Sequence, residues 1–310
     1  MHERCSLRSQ QHGYTRILAA AVLWGSIGIV GRAAFRHGVT PLEAAFFRAC
    51  ISFIIMAAFV LATDPGQLWV RRADLVLFAA FGLVSIAVFF FVYLFAISHT
   101  TVATAAILLY TAPAFVIVLS ALLFREPFTR KKAAAVALAF AGCALVVRGY
   151  DPLSLRLNLP GVLAGLASGF TYAMYSIFGK TALRRYRPVT TLTYALGFGT
   201  VILGAVAVPL GAVRLSHGPA AWVSIVYLAL VTTLAAQWLY LAGLQRVEAG
   251  RASLVATIEP VIAAVLGYAF LGERLEMWQI LGGALVLSAV LAVQMSRTSG
   301  ARGSAAPSQP

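Results

Sequence analysis

Long apolar segments alternate with short polar ones along almost the whole chain, from Ile17 to Met295. Each apolar segment has roughly the 20 residues that a helix needs to cross the hydrocarbon core of a bilayer. The expected fold class is therefore an all-α polytopic membrane protein. The pattern predicts ten transmembrane helices, at residues 16–34, 41–62, 75–97, 102–124, 133–148, 160–183, 189–212, 221–244, 252–271 and 278–295.

The composition agrees with this pattern and excludes a soluble protein. Hydrophobic residues make up 61% of the 310 residues and charged residues 11%, with a mean hydropathy of +0.87. Soluble domains are about half apolar and about a quarter charged, so this chain has too little polar surface to cover a water-soluble globule. The net charge of +14 does not indicate a nucleic-acid partner, because the basic residues lie in loops between apolar segments.

The distribution of basic residues predicts the orientation in the membrane. One set of alternate loops, which includes both termini, contains 17 Lys and Arg residues. The opposite set contains six, and Arg48 lies within a predicted helix. Loops rich in Lys and Arg stay on the cytoplasmic side. We therefore expect a multi-pass protein of the plasma (inner) membrane with both termini in the cytoplasm.

The second half of the chain repeats landmarks of the first half. Identical residues recur 147 positions apart, and the most informative pairs are Tyr93 with Tyr240, Pro113 with Pro260, and Glu126 with Glu273. Each copy contains five predicted helices, and an odd number forces the second copy to enter the membrane from the opposite side. Inverted repeats are typical of secondary transporters, whose substrate site lies between the copies.

This repeat predicts the domain organisation. We expect a first five-helix repeat at 16–149 and a second at 150–295. A cytoplasmic N-terminal segment, 1–15, precedes them. The tail 296–310, rich in Ser, Ala, Gly and Pro, is expected to be disordered and cytoplasmic.

Several short motifs stand in the same order and spacing as in a known family. They are Trp24-Gly25, Pro41, Arg48, Pro113, Glu126 and Gly142 in the first copy, and Pro188, Glu259-Pro260, Leu271–Leu275, Gln279 and Gly282 in the second. On these residues the chain resembles the ten-helix EamA-type proteins of the drug/metabolite transporter superfamily. The second copy departs from the pattern, because Ala195 and Leu196 stand where the arginine would fall.

The resemblance implies a plasma-membrane carrier, most often an exporter of small metabolites or amino-acid-like compounds. It also implies two inverted five-helix bundles around a central cavity. The resemblance does not fix the substrate. An importer or a lipid-linked sugar flippase of the same architecture and a non-transporting structural subunit stay open as alternatives.

Glu259 is the leading functional candidate, because it is a carboxylate in the middle of the ninth apolar segment. An ionised carboxylate at the centre of a membrane helix costs at least about 2.5–3.5 kcal/mol, so such residues face a cavity or a partner. Pro260 lacks a backbone N–H and leaves the carbonyl of Ala256 without a helical donor. We expect Glu259 to bind a proton or a cationic substrate group. The alternative is a carboxylate that only packs helices together.

Arg48 is the second candidate, about six residues inside the second predicted helix. It is expected to hold an anionic substrate group or a carboxylate, and the alternative is snorkelling to the outer interface. Thr233, Gln237 and Tyr240 form one polar stripe on the eighth helix, which is predicted to face the bundle interior.

Further candidates are weaker. The aromatic candidates for the solute pathway are Trp24, Tyr93, Tyr110 and Tyr172, from an aromatic set that also includes Tyr175 and Tyr240. Packing or an interfacial belt is the alternative for each. The helix-hinge candidates are Pro113 and Pro260. Glu126 and Glu273 are expected to be structural carboxylates that cap or pair at helix ends.

No motif of an enzyme is present in the sequence. It has no HExxH, CxxC, GxSxG or Walker A motif, so we expect no catalysis, no cofactor and no metal site. The expected partners are a small-molecule solute and the lipid bilayer, with a proton as a candidate coupling ion. The chain is expected to be a monomer or a weak homodimer.

Overall fold

The computed structural model describes residues 2–112, 114–115, 118, 130–146, 152–246, 255–256 and 258–289. All regular secondary structure within these ranges is helical. The described part of the chain therefore confirms the predicted all-α fold class. Pro113 and Glu126 lie outside the described residues.

Ten helical segments lie in the described ranges, in the order of the predicted spans. They are α1 (His2–Gly25, continuing as Ile27–Arg36), α2 (Pro41–Thr63), α3 (Arg72–His99), α4 (Val102–Leu109), α5 (Arg130–Val146), α6 (Pro152–Ala182), α7 (Pro188–Ala207), α8 (Pro219–Leu244), α9 (Glu259–Leu271) and α10 (Met277–Ala289). Two 3-10 turns, Pro65–Leu68 and Arg72–Asp74, lie between α2 and the main part of α3.

Within the described ranges, six of these helices are long and apolar enough to cross a membrane by themselves, namely α1, α2, α3, α6, α7 and α8. The described parts of α5, α9 and α10 are apolar but shorter. The fourth, fifth, ninth and tenth predicted spans each extend into residues outside the described ranges. One boundary differs clearly: α1 begins at His2 and not near residue 16, because the polar residues before the apolar segment continue the same helix.

Helix ends coincide with residues that suit them. Thr40 caps α2, since its hydroxyl accepts from the Glu43 N–H at 3.2 Å while the Glu43 carboxylate accepts from the Thr40 N–H. Pro41 occupies the first turn of α2, where a missing N–H costs nothing. α9 ends at Leu271, and the next residue, Gly272, has a φ of 67°, the left-handed conformation that glycine adopts without strain.

Both copies contain a π-helical segment at the same place. Gly82–Val88 interrupts α3, and Leu228–Ala235 interrupts α8, which is the matching position after a shift of 147 residues. π-Helical turns are rare and occur often at functional sites. The internal repeat is therefore visible in local backbone geometry as well as in sequence.

The two copies are inverted relative to each other. Glu43 at the start of α2 accepts from the Arg214 N–H beyond the end of α7 at 2.8 Å. Thr190 at the start of α7 donates to the Gln67 carbonyl beyond the end of α2 at 2.9 Å. These contacts link equivalent positions, and they make α2 and α7 antiparallel. The predicted inverted architecture is confirmed.

Glycines bring α6 close to α4. An added Cβ at Gly165 would lie 2.9 Å from the Leu108 Cβ, and one at Gly169 would lie 3.0 Å from the Leu108 carbonyl oxygen. No side chain fits at either position without displacing α4, which is the packing that small residues permit between membrane helices. This approach places the next turns of α6, with Tyr172 and Tyr175, beside the centre of the bundle.

Candidate functional site

α4 and α9 are both interrupted at equivalent positions. α4 ends at Leu109, and the Thr111 N–H donates to the Leu108 carbonyl at 3.1 Å in the turn that follows. In the second copy the Ile258 N–H donates to the Val255 carbonyl at 3.4 Å, immediately before α9 begins. Interrupted helices at the interface of inverted repeats form the binding sites of many transporters.

This geometry corrects the expected position of Glu259. The sequence pattern predicted a residue in the middle of a helix, but Glu259 is the first residue of α9. Pro260 is the physical reason, because proline is tolerated in the first turn of a helix and not in its interior.

Tyr110 connects the two interrupted helices. Its hydroxyl lies 3.0 Å from Glu259 Oε2 and also contacts the Ala256 carbonyl oxygen. That carbonyl lacks a helical donor because Pro260 has no N–H. Glu259 is 2% exposed and Tyr110 is 4% exposed, so the contacts are shielded from water. The single hydrogen of one hydroxyl group is therefore shared between two buried oxygen atoms of the opposite copy.

Arg48 is buried between the copies. Its Nε donates to Thr233 Oγ1, and its Nη2 lies 3.5 Å from the Thr232 carbonyl oxygen. Its guanidinium carbon stands 4.1 Å from the centre of the Phe90 ring, within cation–π distance. Arg48 is 1% exposed, so the alternative in which it snorkels to the outer interface is wrong.

The π-helical segment of α8 supplies the partners of α2. Ser52, one turn after Arg48, donates to the Ala229 carbonyl at 2.8 Å. Together with the Arg48 contact at Thr232, this places two backbone carbonyls of the segment opposite polar side chains of α2. In the other copy Ala195 is the counterpart of Arg48, and its carbonyl oxygen lies 3.0 Å from a Cβ added at Gly82. Polar side chains of α2 therefore contact the π-helical segment of α8, whereas the equivalent contact between α7 and α3 has Ala195 in place of the arginine.

A cavity of about 20 Å³ lies where these groups meet. Six of the eight candidates for the solute pathway line it: Trp24, Arg48, Tyr93, Tyr172, Gln237 and Glu259. The remaining two contact the lining, since Tyr110 bonds Glu259 and the Tyr240 ring lies 5.1 Å from that of Trp24. This volume holds about one water molecule, so the described conformation is closed around the site.

The cavity also has lining residues that sequence reasoning did not single out as site residues. They are Ile27, Phe89 and Leu109. All three are apolar, and nothing in an apolar segment distinguishes a cavity wall from ordinary core. Tyr175, which belongs to the same aromatic set in the sequence as Tyr172, lines the cavity one turn beyond it on α6.

Aromatic rings form much of the wall. Trp24 meets Tyr172 edge-on with 6.4 Å between ring centres, and Phe89 stacks on Tyr93 at 5.9 Å. Tyr93 is 2% exposed and Tyr240 is 4% exposed. An interfacial belt is therefore the wrong interpretation for these tyrosines, which pack in the bundle interior.

Three buried polar atoms around the cavity have no hydrogen-bond partner among the described residues. They are Arg48 Nη1, Gln237 Oε1 and the Tyr175 hydroxyl. A buried polar group without a partner costs about 1–3 kcal/mol. The three residues line one cavity and offer a guanidinium donor, an amide acceptor and a hydroxyl group. A small polar ligand in the cavity would pair with all three.

Glu273 lies away from this cavity. Its two carboxylate oxygens accept from the Val102 N–H at 2.9 and 3.1 Å, and it pairs with Arg32 at 3.7 Å. It thereby caps the N-terminus of α4 from the end of α9, which is the geometry expected of a structural carboxylate. Among the described residues no group of three or more His, Cys, Asp or Glu could hold a metal ion.

Comparisons with known proteins agree with this architecture. The model of the EamA-like transporter family matches residues 11–148 and 159–295. An uncharacterized transporter of Archaeoglobus fulgidus is 32% identical over 284 residues, which cover 92% of this chain and 97% of that protein. The uncharacterized inner membrane transporter YicL of Salmonella typhimurium is 25% identical over 95% of this chain and 99% of its own length.

A solved structure shares the fold. A crystal structure covering 91% of this chain and 96% of its own chain superposes with a TM-score of 0.64 at 18% identity. Two matched repeats span nearly the whole sequence, and the relatives carry the names of transporters. The chain is a multi-pass membrane transporter that belongs to the EamA-like transporter family.

Proposed function

We propose that this chain exports small metabolites or amino-acid-like solutes across the plasma membrane by alternating access. The observation that carries the proposal is the closed cavity between the inverted copies, where Arg48 and Glu259 are both buried. Buried charges in a membrane protein are costly and are retained for substrates, ions or partners. We therefore expect both side chains to bind the solute.

The chemistry of the lining favours a solute with groups of both charges. Arg48 Nη1 would bind a carboxylate or another anionic group, because it is a charged donor without a partner among the described residues. Glu259 would accept from an amine. Trp24 and Tyr172 would cover the apolar part of the solute, since aromatic rings combine large contact area with tolerance of different shapes.

Glu259 is also our candidate for the coupling proton. It bonds Tyr110 of the first copy and lies in the second, so a change in its charge alters a contact between the two halves. A protonated Glu259 would attract neither an amine nor Arg48. Solute and proton would therefore compete for one carboxylate, which is the arrangement that exchange of one for the other requires.

Counterflow in proteoliposomes tests the proposal. The purified chain is reconstituted and offered a panel of amino acids, amines and other metabolites, with and without a pH gradient. We expect saturable exchange of at least one zwitterionic solute, and Glu259→Gln should lower it by about tenfold or more. Asp64→Asn is the matched control, because it makes the same change at an exposed loop carboxylate.

The outcomes separate the parts of the proposal. Equal exchange by Glu259→Gln and wild type at every pH would remove Glu259 from the site. An exchange rate that does not change with the pH gradient would overturn proton coupling and would not affect the proposal of solute transport. Solute movement in the opposite direction under a physiological gradient would favour an importer.

A further inference from the structure

A second cavity lies at one end of the bundle, far from the solute site. It has a volume of about 470 Å³ and is lined by Trp69, Val70, Arg71, Arg185 and Tyr186. The first three residues belong to the segment between α2 and α3, and the last two lie between α6 and α7. The groove therefore lies between the two copies, where four helices end or begin.

Asp74 fixes the shape of this groove. It accepts from the Tyr186 hydroxyl at 2.6 Å and pairs with Arg185 Nη1 at 3.2 Å. The Arg71 N–H donates to the same Tyr186 hydroxyl oxygen at 3.2 Å. These contacts cross from one copy to the other, and they hold the walls of the groove together before any ligand arrives.

The groove is strongly basic. Arg71 and Arg185 line it, and three more exposed arginines lie on the same two segments: Arg72, Arg184 and Arg187. Asp74, the acid in contact with its lining residues, is already engaged by Arg185 and Tyr186. Positive charge therefore exceeds negative charge at the opening, and an anionic ligand is favoured.

Trp69 identifies the surroundings of the groove. Its side chain is 87% exposed, although it follows the apolar helix α2 directly through one short turn. Exposed tryptophan at the end of a membrane helix lies at the level of the lipid headgroups, where its ring is half in the apolar region. The groove opens at the same level, because helix ends form it.

We propose that this groove binds the phosphate group of an anionic phospholipid. The planar guanidinium of Arg71 suits phosphate oxygens in a two-point contact, and Trp69 packs on the glycerol and upper acyl chain. Basic pockets between helices on the cytoplasmic side bind such headgroups in other membrane proteins. A bound lipid would bridge the two copies on the face that we predict to be cytoplasmic, independently of the solute.

Native mass spectrometry of the purified, delipidated full chain tests this proposal. Phosphatidylglycerol and phosphatidylcholine are titrated in separate series, and lipid adducts are counted. We expect phosphatidylglycerol to bind more tightly, and Arg71→Gln to weaken it by about fivefold, the effect of one arginine near an anionic surface. Arg274→Gln is the matched control, since it removes an exposed arginine at the opposite end of the bundle.

Three results would overturn the proposal. Equal binding of the two lipids would show that the headgroup charge is not recognised. An equal loss in Arg71→Gln and Arg274→Gln would assign the effect to net charge and not to the groove. Inorganic phosphate that binds as tightly as phosphatidylglycerol would assign the groove to a soluble anion. Arg71→Lys keeps the charge and loses the planar guanidinium, so it should bind phosphatidylglycerol more tightly than Arg71→Gln and less tightly than the wild type.

Discussion

The Tyr110 hydroxyl offers a test of how the two copies are joined at the site. Tyr110→Phe removes one oxygen atom and leaves the ring, so packing in the buried pocket changes little. The lost hydroxyl is the partner of the Ala256 carbonyl and of Glu259 Oε2. Both acceptors are shielded from water, because Ala256 is 1% exposed and Glu259 is 2% exposed.

The expected loss of stability follows from these unpaired acceptors. Leaving a buried acceptor without a donor costs about 1–3 kcal/mol, so Tyr110→Phe should lower the free energy of unfolding by about that amount. Tyr194→Phe is the matched control. Its hydroxyl donates to the Leu68 carbonyl at 2.6 Å, but both residues are partly exposed and water can replace the donor. The control should lose less than about 1 kcal/mol.

A second substitution isolates the carbonyl. Pro260→Ala supplies a backbone N–H four residues after Ala256, the position from which a continuous helix donates to that carbonyl oxygen. In that background Tyr110→Phe no longer leaves the carbonyl unpaired, and it should cost about 1 kcal/mol less than in the wild type. The remaining cost belongs to Glu259.

The double-mutant cycle consists of the wild type, Tyr110→Phe, Pro260→Ala and the double variant. The free energy of unfolding of each is measured by reversible unfolding in mixed micelles with increasing sodium dodecyl sulfate, detected by circular dichroism. Equal costs of Tyr110→Phe in the two backgrounds would refute the reasoning, because the hydroxyl would then not serve the carbonyl that proline frees. A cost equal to that of Tyr194→Phe would refute the claim that the pocket is shielded from water.

Three further predictions concern the site, the packing and the orientation. Arg48→Met should leave the chain folded, because the apolar side chain has no charge to bury, and should change the free energy of unfolding by no more than about 2 kcal/mol. The same substitution should reduce solute exchange in proteoliposomes by about tenfold or more. Gly142→Val should destabilise the chain by about 1–3 kcal/mol in the same micelle assay, because an added Cβ would lie 2.6 Å from the Gly282 carbonyl oxygen. Gly218→Val is its control, since an added Cβ there meets nothing within 4 Å. With the native cysteines replaced, a membrane-impermeant maleimide should label Ser216→Cys in intact cells and Ala73→Cys after lysis alone, and the reverse pattern would contradict the predicted cytoplasmic termini.

Hydrophobic patterning was sufficient for the architecture. Apolar segments of membrane-crossing length are required by the bilayer itself, because backbone polar groups in hydrocarbon must be paired within a helix. The repeat then followed from shared residues, and Pro260 marked the interruption of α9 before its geometry was visible. The offset of 147 residues also relates the π-helical segments, although no sequence rule predicted their hydrogen bonding.

Partners across the bundle were beyond the reach of the sequence. Arg48 stands next to Thr233 and over Phe90, which lie 185 and 42 residues away along the chain. Propensity and periodicity describe neighbours on one helix, and they do not tell which helix faces which. Glu273 shows the same limit: its position at a helix end predicted a structural role, but not that it caps α4 and pairs with Arg32.

The two copies differ at the positions whose polar side chains line the cavity between them. Glu259 matches Ala112, Arg48 matches Ala195 and Gln237 matches Phe90 across the repeat. Each polar residue thus has an apolar counterpart, and the Phe90 ring contacts the Arg48 guanidinium directly. A second arginine at Ala195 and a second carboxylate at Ala112 would bury twice the charge within the bundle, which is costly at membrane depth. The scaffold is therefore symmetric, whereas the polar side chains that line the cavity are divided between the copies.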